Sequence, residues 1–332
     1  MNDKKILLII DNYYKPIKNI LEKLFLCKIY LISDILKLNN YDISYFYKKK
    51  ISAYKQGLDN GCNIVLNNND NDILDVLKNE GYKFEQYNIT NNIFKNYKII
   101  KKINNKINIF NYLKYYLLIN LSILLINNFQ KYIRTNIGFE INKGNFERIE
   151  KSINNNLLSR LNIFTILKKY FYFKNRLNSI YLDKPKKCLN ICIISNDYIL
   201  DKLYYDYTLE LLLASKNMIC HRDIGKKYIN KYKIKYYLYI IKKYCKYNIG
   251  SNVIRNIFLA VKSIDLGMDG IIFIKQEGNK QDISTSIILD NVCNKNNIPI
   301  INLNYNDSIS ELKIENNINV LYDLIKINNK LI

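Results

Sequence analysis

Short apolar runs alternate with segments of helical periodicity at both ends of this chain. Near the start, the pattern predicts strands at Ile6 to Ile10 and Cys62 to Leu66, and helices at Pro16 to Leu26 and Asp72 to Asn79. Continuous apolar strands followed by amphipathic helices are typical of a parallel sheet covered on both faces. We therefore expect an α/β domain over residues 1–95.

The same alternation returns after Pro185. It predicts strands at Leu189 to Ser195, Met218 to His221, Gly270 to Ile274 and Pro299 to Leu303, and helices that end near Leu213 and Leu266 or cover Ile283 to Lys295 and Asn319 to Ile327. We expect a second parallel α/β domain over residues 184–332. A related architecture of the two α/β domains is one interpretation of this repeated pattern.

Residues 96–183 lack strand signals and show helical periodicity. The longer helical stretches are Phe110 to Phe129 and Asn155 to Leu177, and Asn142-Lys143-Gly144 separates them. No proline marks a loose linker, so this connector is expected to pack against the sheets. The predicted fold class is α/β, with two Rossmann-like or flavodoxin-like parallel-sheet domains joined by a helical segment.

One stretch, Phe110 to Ile126, is apolar enough to be weighed as a membrane span. Asn111, Lys114 and Asn120 interrupt it, and a span needs about 20 predominantly apolar residues. The run Ile6 to Ile10 is too short for a signal peptide and has no small-residue cleavage site behind it. We expect a cytoplasmic protein with a buried helix here and no membrane partner.

The chain is strongly basic, with 51 Lys and Arg against 29 Asp and Glu and a formal charge of +22. Such a surplus is typical of proteins that bind nucleic acids or anionic membranes. Lys, Asn, Ile and Tyr are abundant throughout, however, which indicates A+T-rich codon usage. Because the lysines form only short runs, such as Lys48 to Lys50, a solvated basic surface is favoured over a nucleic-acid footprint.

Seven cysteines are present, an odd number with no C-x-x-C pair. In a chain without export signals they are expected to be reduced thiols, most of them small core residues. Cys188 and Cys192 fall in or beside a predicted strand, where a rise of about 3.3 Å per residue places them too far apart to share one metal ion.

Several short motifs occur along nearly the whole chain. They are Asp11 to Pro16, Tyr54 to Leu66 with Asp75 to Glu85, Tyr132 to Arg134 with Glu140 to Gly144, and Gly267 to Ile272 followed by Ile283 to Leu289 and Asn297 to Ile300. In order and spacing, they resemble motifs of the 2-hydroxyacyl-CoA dehydratase D-component family, which includes proteins related to acyl-CoA dehydratase activases.

The chain departs from this family at the loops that carry its iron–sulfur cysteines. Ser44 and Asn279 stand where the resemblance places two of the cysteines, and the loop Asn67 to Asn71 is shortened. A hydroxyl or a carboxamide does not replace a thiolate as an iron ligand. The resemblance therefore implies a degenerate member without the cluster, and we predict no cofactor and no metal site.

Two features are candidate ligand contacts. His221-Arg222 matches an H-R pair of the family at the end of a strand, where an anion contact is one interpretation and a structural pair is the favoured one. Gly250, Ser251 and Asn252 open a predicted helix whose N-terminus would attract phosphate, although ordinary capping also explains them. No nucleotide-binding glycine motif is present.

These observations leave three hypotheses of function. The first is a cluster-free accessory or vestigial protein that binds an acyl-CoA-like ligand or a partner, either a homologous dehydratase-like subunit or an activase. The second is a subunit of a heteromeric dehydratase, a lyase, whose partner supplies the cluster. The third is a basic nucleic-acid-binding protein. We predict no catalytic residues, and activity of the isolated chain is not expected.

Overall fold

The computed structural model describes the fold of residues 6–10, 17–25, 28–31, 45–67, 71–88, 93–103, 105, 107–157, 162–196, 206–222, 239, 241–242, 244, 251–276, 280–305 and 311–328. The chain divides into two compact units. The first comprises Met1–Ile126 and Arg148–Arg176, and the second comprises Asn127–Glu147 and Leu177–Ile332. Each unit contains one α/β region and part of the helical segment, and the predicted boundaries at residues 95 and 183 stay predictions.

The first unit contains a parallel sheet in the order β2-β1-β3-β4. Its strands are β1 (Ile6–Ile10), β2 (Lys28–Leu31), β3 (Ile64–Asn67) and β4 (Glu85–Asn88), and its helices include α1 (Lys18–Phe25), α2 (Tyr45–Asp59), α3 (Asn71–Asn79) and α4 (Ile93–Ile103). The strand and helix predictions near the N-terminus are thus confirmed, with β3 beginning two residues later than expected.

A buried apolar layer joins this sheet to α2 and α3. Side chains alternate between the two faces of a strand, so Leu7 and Ile9 of β1 lie on the same face. There they pack with Ile51, Tyr54 and Leu74. In α2, Gly57 lies against the Leu7 side chain, which leaves no room for a Cβ atom. The small residue therefore lets the helix approach the central strand closely.

The helical segment begins with α5 (Ile109–Asn136) and continues through a 3₁₀ turn (Ile137–Phe139), α6 (Asn145–Asn156) and α7 (Ile163–Asn178). The stretch predicted over Asn155 to Leu177 is not a single helix, because α6 ends at Asn156 and α7 starts at Ile163. Glu140 accepts hydrogen bonds from the amides of Gly144, Asn145 and Phe146 at 3.1, 2.7 and 3.3 Å. Its carboxylate thereby satisfies amides that would otherwise be unpaired at the start of α6.

The second unit contains a parallel sheet in the order β6-β5-β7-β8. Its strands are β5 (Leu189–Ser195), β6 (Met218–Arg222), β7 (Gly270–Gln276) and β8 (Ile300–Tyr305), and its helices include α8 (Thr208–Ala214), α9 (Ser251–Asp265), α10 (Lys280–Lys295) and α11 (Glu311–Asn328). All four strands predicted after Pro185 are present, and both sheets have the same strand order.

Each face of this second sheet is covered by helices. Ile191 and Ile193 of β5 pack on one face with residues of α8 and α11, such as Leu213. Cys192 and Ile194 pack on the other face with residues of α9 and α10, such as Ile257. Successive side chains of β5 thus contribute to apolar layers on opposite faces of the sheet. The predicted α/β class with parallel sheets is confirmed.

Helix α5 is buried along one face only. Tyr112, Leu118 and Leu125 are buried, whereas Phe110 and Leu117 are exposed by 80% and 59%. In the described part of the chain one helical stretch, Ile109–Phe139, is long and apolar enough to cross a membrane, and 28% of its most apolar window is buried. The expectation of a buried helix is therefore met on one side and not on the other.

Candidate functional site

The order of the second sheet places a topological switch between β5 and β7. The chain leaves β5 to form β6 on one side and then returns to form β7 on the other. In parallel α/β sheets, ligands bind outside the carboxyl ends of the strands at such a switch. Here β5 ends at Ser195 and β7 at Gln276, and α10 begins shortly afterwards, at Lys280. Because α9 leads into the start of β7, its first turns lie at this same end.

Buried polar side chains are concentrated at this carboxyl edge, and we call them the edge polar set. Each is less than a tenth exposed to solvent. The set consists of Ser195, Asn196, Arg255, Asn256, Asp282, Thr285 and Ser286. Buried polar groups are costly unless they are hydrogen-bonded, so each member requires a partner.

Two hydrogen bonds of the edge polar set join neighbouring elements. Asn196, the residue after β5, donates from Nδ2 to Asp282 Oδ2 in the first turn of α10 at 3.1 Å. Ser195 Oγ donates to the Ile274 carbonyl of β7 at 2.6 Å. These bonds fix β5, β7 and α10 relative to one another at the switch point.

Two further members are satisfied within α10 itself. Thr285 Oγ1 donates to the Gln281 carbonyl at 2.7 Å, and Ser286 Oγ donates to the Ile283 carbonyl at 2.8 Å. Such bonds from a side chain back to the preceding turn are ordinary inside helices. Thr285 and Ser286 are therefore explained by local structure.

Asn256 is different, because its side chain is only 1% exposed and lacks hydrogen bonds within the described part of the chain. Neither Nδ2 nor Oδ1 has a partner there. An unsatisfied buried amide costs about 1–3 kcal/mol, so this position departs from the rule that buried polar groups are paired. Arg255, the preceding residue of α9, is 8% exposed and brings a positive charge to the same turn.

A buried ion-pair triad lies at β6. Arg134 Nη1 donates to Oε1 of Glu210 in α8 at 2.7 Å, and Arg222 Nη2 donates to Oε2 of the same carboxylate at 2.8 Å. All three side chains are at most 2% exposed. The Arg134 guanidinium also lies 5.0 Å from the centre of the Tyr207 ring. The triad ties α5, α8 and β6 together, and the Arg222 charge is already paired with a carboxylate.

His221 and Arg222 are not brought together into one contact site. Successive residues of a strand point to opposite faces, and Arg222 meets Glu210 on the α8 side, whereas His221 Nε2 lies 3.0 Å from Asn190 Oδ1 of β5. Burial, followed by the charges of Lys131 and Lys184, lowers the pKa of His221. The geometry favours the structural interpretation of the pair, while an anion contact stays a prediction.

The structure describes the remaining predicted site residues only in part or not at all. Ser44, Gly250 and Asn279 fall outside the described residues. Ser251 and Asn252 begin α9, as the sequence predicts for a helix start, but their side chains are outside the description. Their role in ligand binding stays a prediction.

The described cysteines are Cys62, Cys188, Cys192, Cys220 and Cys293, and none of them forms a disulfide. Four are buried, which confirms the predicted core role for these positions, and Cys188 is half-buried. Burial raises the pKa of Cys293 to about 12 and that of Cys220 well above its ordinary value. Among the residues given in the structure, no group of three or more His, Cys, Asp or Glu is placed to hold a metal ion.

Several important residues were not recognised in the sequence. Asn196 directly follows a predicted strand and Asp282 directly precedes a predicted helix, so their position at a carboxyl edge was a usable signal. Glu210 and Arg134 are 76 residues apart in the chain. No local pattern pairs residues at that separation, so the triad required the structure.

No family model matches the chain, and no curated protein matches its sequence. The likeness to the 2-hydroxyacyl-CoA dehydratase D-component family therefore rests on sequence motifs such as Gly267 to Ile272 alone.

Proposed function

We propose that this protein is a cluster-free accessory or vestigial relative of the 2-hydroxyacyl-CoA dehydratase D-component family, which binds an acyl-CoA-like ligand without catalysing dehydration by itself. The observation that carries the proposal is the edge polar set, and within it Asn256. Asn256 has a buried amide without partners among the described residues, and α9 begins at the end of the sheet where α/β proteins bind ligands.

The strand order supports a flavodoxin-like assignment for both domains. Flavodoxin-like sheets have the order 2-1-3-4-5, and each sheet here has the order 2-1-3-4 over its described strands. Two domains of this kind joined by helices agree with the architecture that the family resemblance implies.

The chemistry of the edge polar set suits binding better than proton transfer. Asp282 accepts Asn196 Nδ2, and Ser195 donates to a backbone carbonyl, so both groups serve the structure. Asn256 offers a donor and an acceptor, which match an amide such as those of a pantetheine arm, and the nearby Arg255 suits a phosphate. A ligand with both groups is an acyl-CoA-like molecule.

The loop residues support a protein without an iron–sulfur cluster. Ser44 and Asn279 carry a hydroxyl and a carboxamide at two positions where the resemblance places thiolates. Anaerobically purified protein is therefore expected to contain neither iron nor acid-labile sulfide. Substantial amounts of both would overturn the cluster-free part of the proposal.

Ligand binding is tested by calorimetric titration of the full chain with CoA and with a short acyl-CoA. We expect saturable binding that Asn256→Leu weakens at least about tenfold, because an unpaired polar group of the ligand then faces an apolar side chain. Asn319→Leu in α11, on the other face of the sheet, is the matched control and should bind as the unaltered protein does. Absence of binding to both compounds would refute the proposal.

The partner hypothesis has its own test. Affinity purification of the chain from its native cell extract is expected to recover a cysteine-bearing homologous subunit if the protein belongs to a heteromeric dehydratase. Recovery of such a subunit together with iron and dehydratase activity would replace the accessory role with that of an enzyme subunit. Recovery of the chain alone would count against it.

A further inference from the structure

The positive charge of this chain is concentrated in its helical segment. Residues 86–182 contain 16 Lys and Arg against three Asp and Glu, which gives a formal charge of +13 out of +22 in less than a third of the length. Residues 86–139 contain no acidic residue. This uneven distribution distinguishes the segment from a basic surface spread evenly by codon usage, and it indicates an anionic partner.

Helix α7 exposes aromatic rings on its solvent face. Phe164, Phe171 and Tyr172 are exposed by 83%, 57% and 56%, whereas Phe173 on the opposite face is 3% exposed. Lys168 follows Phe164 by one turn on the same face and is exposed. The helix thus has one apolar face in the core and a second face on which the Lys168 ammonium group lies between exposed aromatic rings.

Helix α5 exposes a line of apolar side chains in the part that belongs to the first unit. Phe110, Leu117 and Leu124 are exposed by 80%, 59% and 46% and follow one another at intervals of seven residues. At 1.5 Å per residue, the line is about 21 Å long. Lys114, also exposed, lies one turn after Phe110. Single exposed apolar residues are normal, but ordered lines of them mark interaction surfaces.

The chemistry of these two faces selects among partners. A second copy of the chain would bring two strongly positive helical segments together, which repulsion opposes. Nucleic acid would neutralise the charge and stack on rings, but leucine side chains offer no stacking surface. An anionic lipid surface satisfies both features, because its phosphates attract lysines while its acyl boundary accepts Phe and Leu.

We propose that the exposed faces of α5 and α7 bind the surface of an anionic membrane. Phe110, Leu117, Phe164 and Phe171 enter the boundary between headgroups and acyl chains, and Lys168 and neighbouring basic residues contact the lipid phosphates. The protein lies on the membrane rather than spanning it. This proposal differs from the expectation of no membrane partner, which was based on the polar residues that interrupt Phe110 to Ile126.

The test is co-sedimentation of the full chain with vesicles of phosphatidylcholine alone or with about a third phosphatidylglycerol. Binding is expected only to the anionic vesicles and should weaken at high salt. Phe164→Ser/Phe171→Ser/Tyr172→Ser should reduce partitioning at least about tenfold, and Lys168→Gln about fivefold. Each substituted side chain is at least half exposed or on the exposed face, and circular dichroism checks that the fold is kept.

A matched control replaces exposed apolar residues of the second unit. Ile287→Ser/Leu312→Ser/Val320→Ser alters side chains exposed by 65%, 69% and 53% and should leave partitioning unchanged. The proposal is overturned by absence of vesicle binding, or by equal loss in the control variant. It is also overturned if single-stranded nucleic acid displaces the vesicles, or if light scattering shows a dimer that the α7 substitutions dissociate.

Discussion

Arg222 Nη2 lies 2.8 Å from Glu210 Oε2, and both side chains are 1% exposed. The same carboxylate binds Arg134 through its other oxygen. Glu210→Ala would leave two guanidinium groups buried with their shared carboxylate removed, and we expect a loss of about 3–5 kcal/mol in the free energy of unfolding. Urea denaturation followed by circular dichroism measures this loss.

The control for this prediction removes all three charges. Arg134→Met/Glu210→Leu/Arg222→Met replaces the triad by apolar side chains of similar size, and it is expected to be much more stable than the single variant, since no charge then remains unpaired. If the single and triple variants were equally unstable, packing rather than charge would explain the effect.

Gly138 lies against α8 with no space for a side chain. A Cβ atom placed there would overlap Ala214 Cβ and lie 3.0 Å from the Glu210 carbonyl oxygen. Gly138→Ala should therefore lower the free energy of unfolding by about 1–3 kcal/mol through overpacking. The compensating variant Gly138→Ala/Ala214→Gly should recover part of the loss, and no recovery would show that the backbone contact dominates. Thermal unfolding of both variants gives the comparison.

The folded protein should be less stable with Asn256 than with an apolar residue at this position. Because its amide is buried and both polar atoms lack partners in the described structure, Asn256→Leu is expected to raise the free energy of unfolding by about 1–2 kcal/mol. Chemical denaturation without ligand tests this. A destabilised variant would mean that the amide is satisfied in the folded protein.

The stability of the protein should depend on the protonation of His221. Its pKa in the folded state is lowered from 6.5, first by burial and then by Lys131 and Lys184. As the pH falls below about 6.5, the unfolded chain binds a proton that the folded protein resists, so the free energy of unfolding decreases until the folded pKa is reached.

Denaturation at pH 7.5, 6.5 and 5.5 measures this dependence. His221→Gln retains a donor for Asn190 without the titration and should show a flatter profile over that range. Profiles of equal slope in the two proteins would assign the pH dependence to other groups.

The sequence predicted those elements whose signal is local. Leu189 to Ser195 was placed within its true bounds, because six of the seven residues of this central strand are apolar or small and only Asn190 interrupts them. Strand β4 was missed, since Glu85–Asn88 is a polar strand at the end of the sheet order and has no apolar run. Helix α2 was also missed, because Tyr45 to Lys50 mixes aromatic and basic residues without clear periodicity.

The candidate site was less predictable than the fold. Its position followed from the strand order, which depends on pairings between residues 79 apart, such as Ser195 with Ile274. Buried polar residues such as Asn256 look like ordinary helix residues in the sequence, and only burial distinguishes them. The charged triad likewise depends on contacts that no local pattern encodes.

The division of the chain into units has a consequence for synthesis. The path crosses from one unit to the other at residues 126–127, 147–148 and 176–177, so neither unit is a continuous piece of polypeptide. On the ribosome, the first unit can be completed only after Arg176 has emerged, when residues 127–147 of the second are already made. No single proteolytic cut therefore separates the two units. Neither unit is encoded by one continuous gene segment, so exchanging one such segment between genes cannot transfer a whole unit.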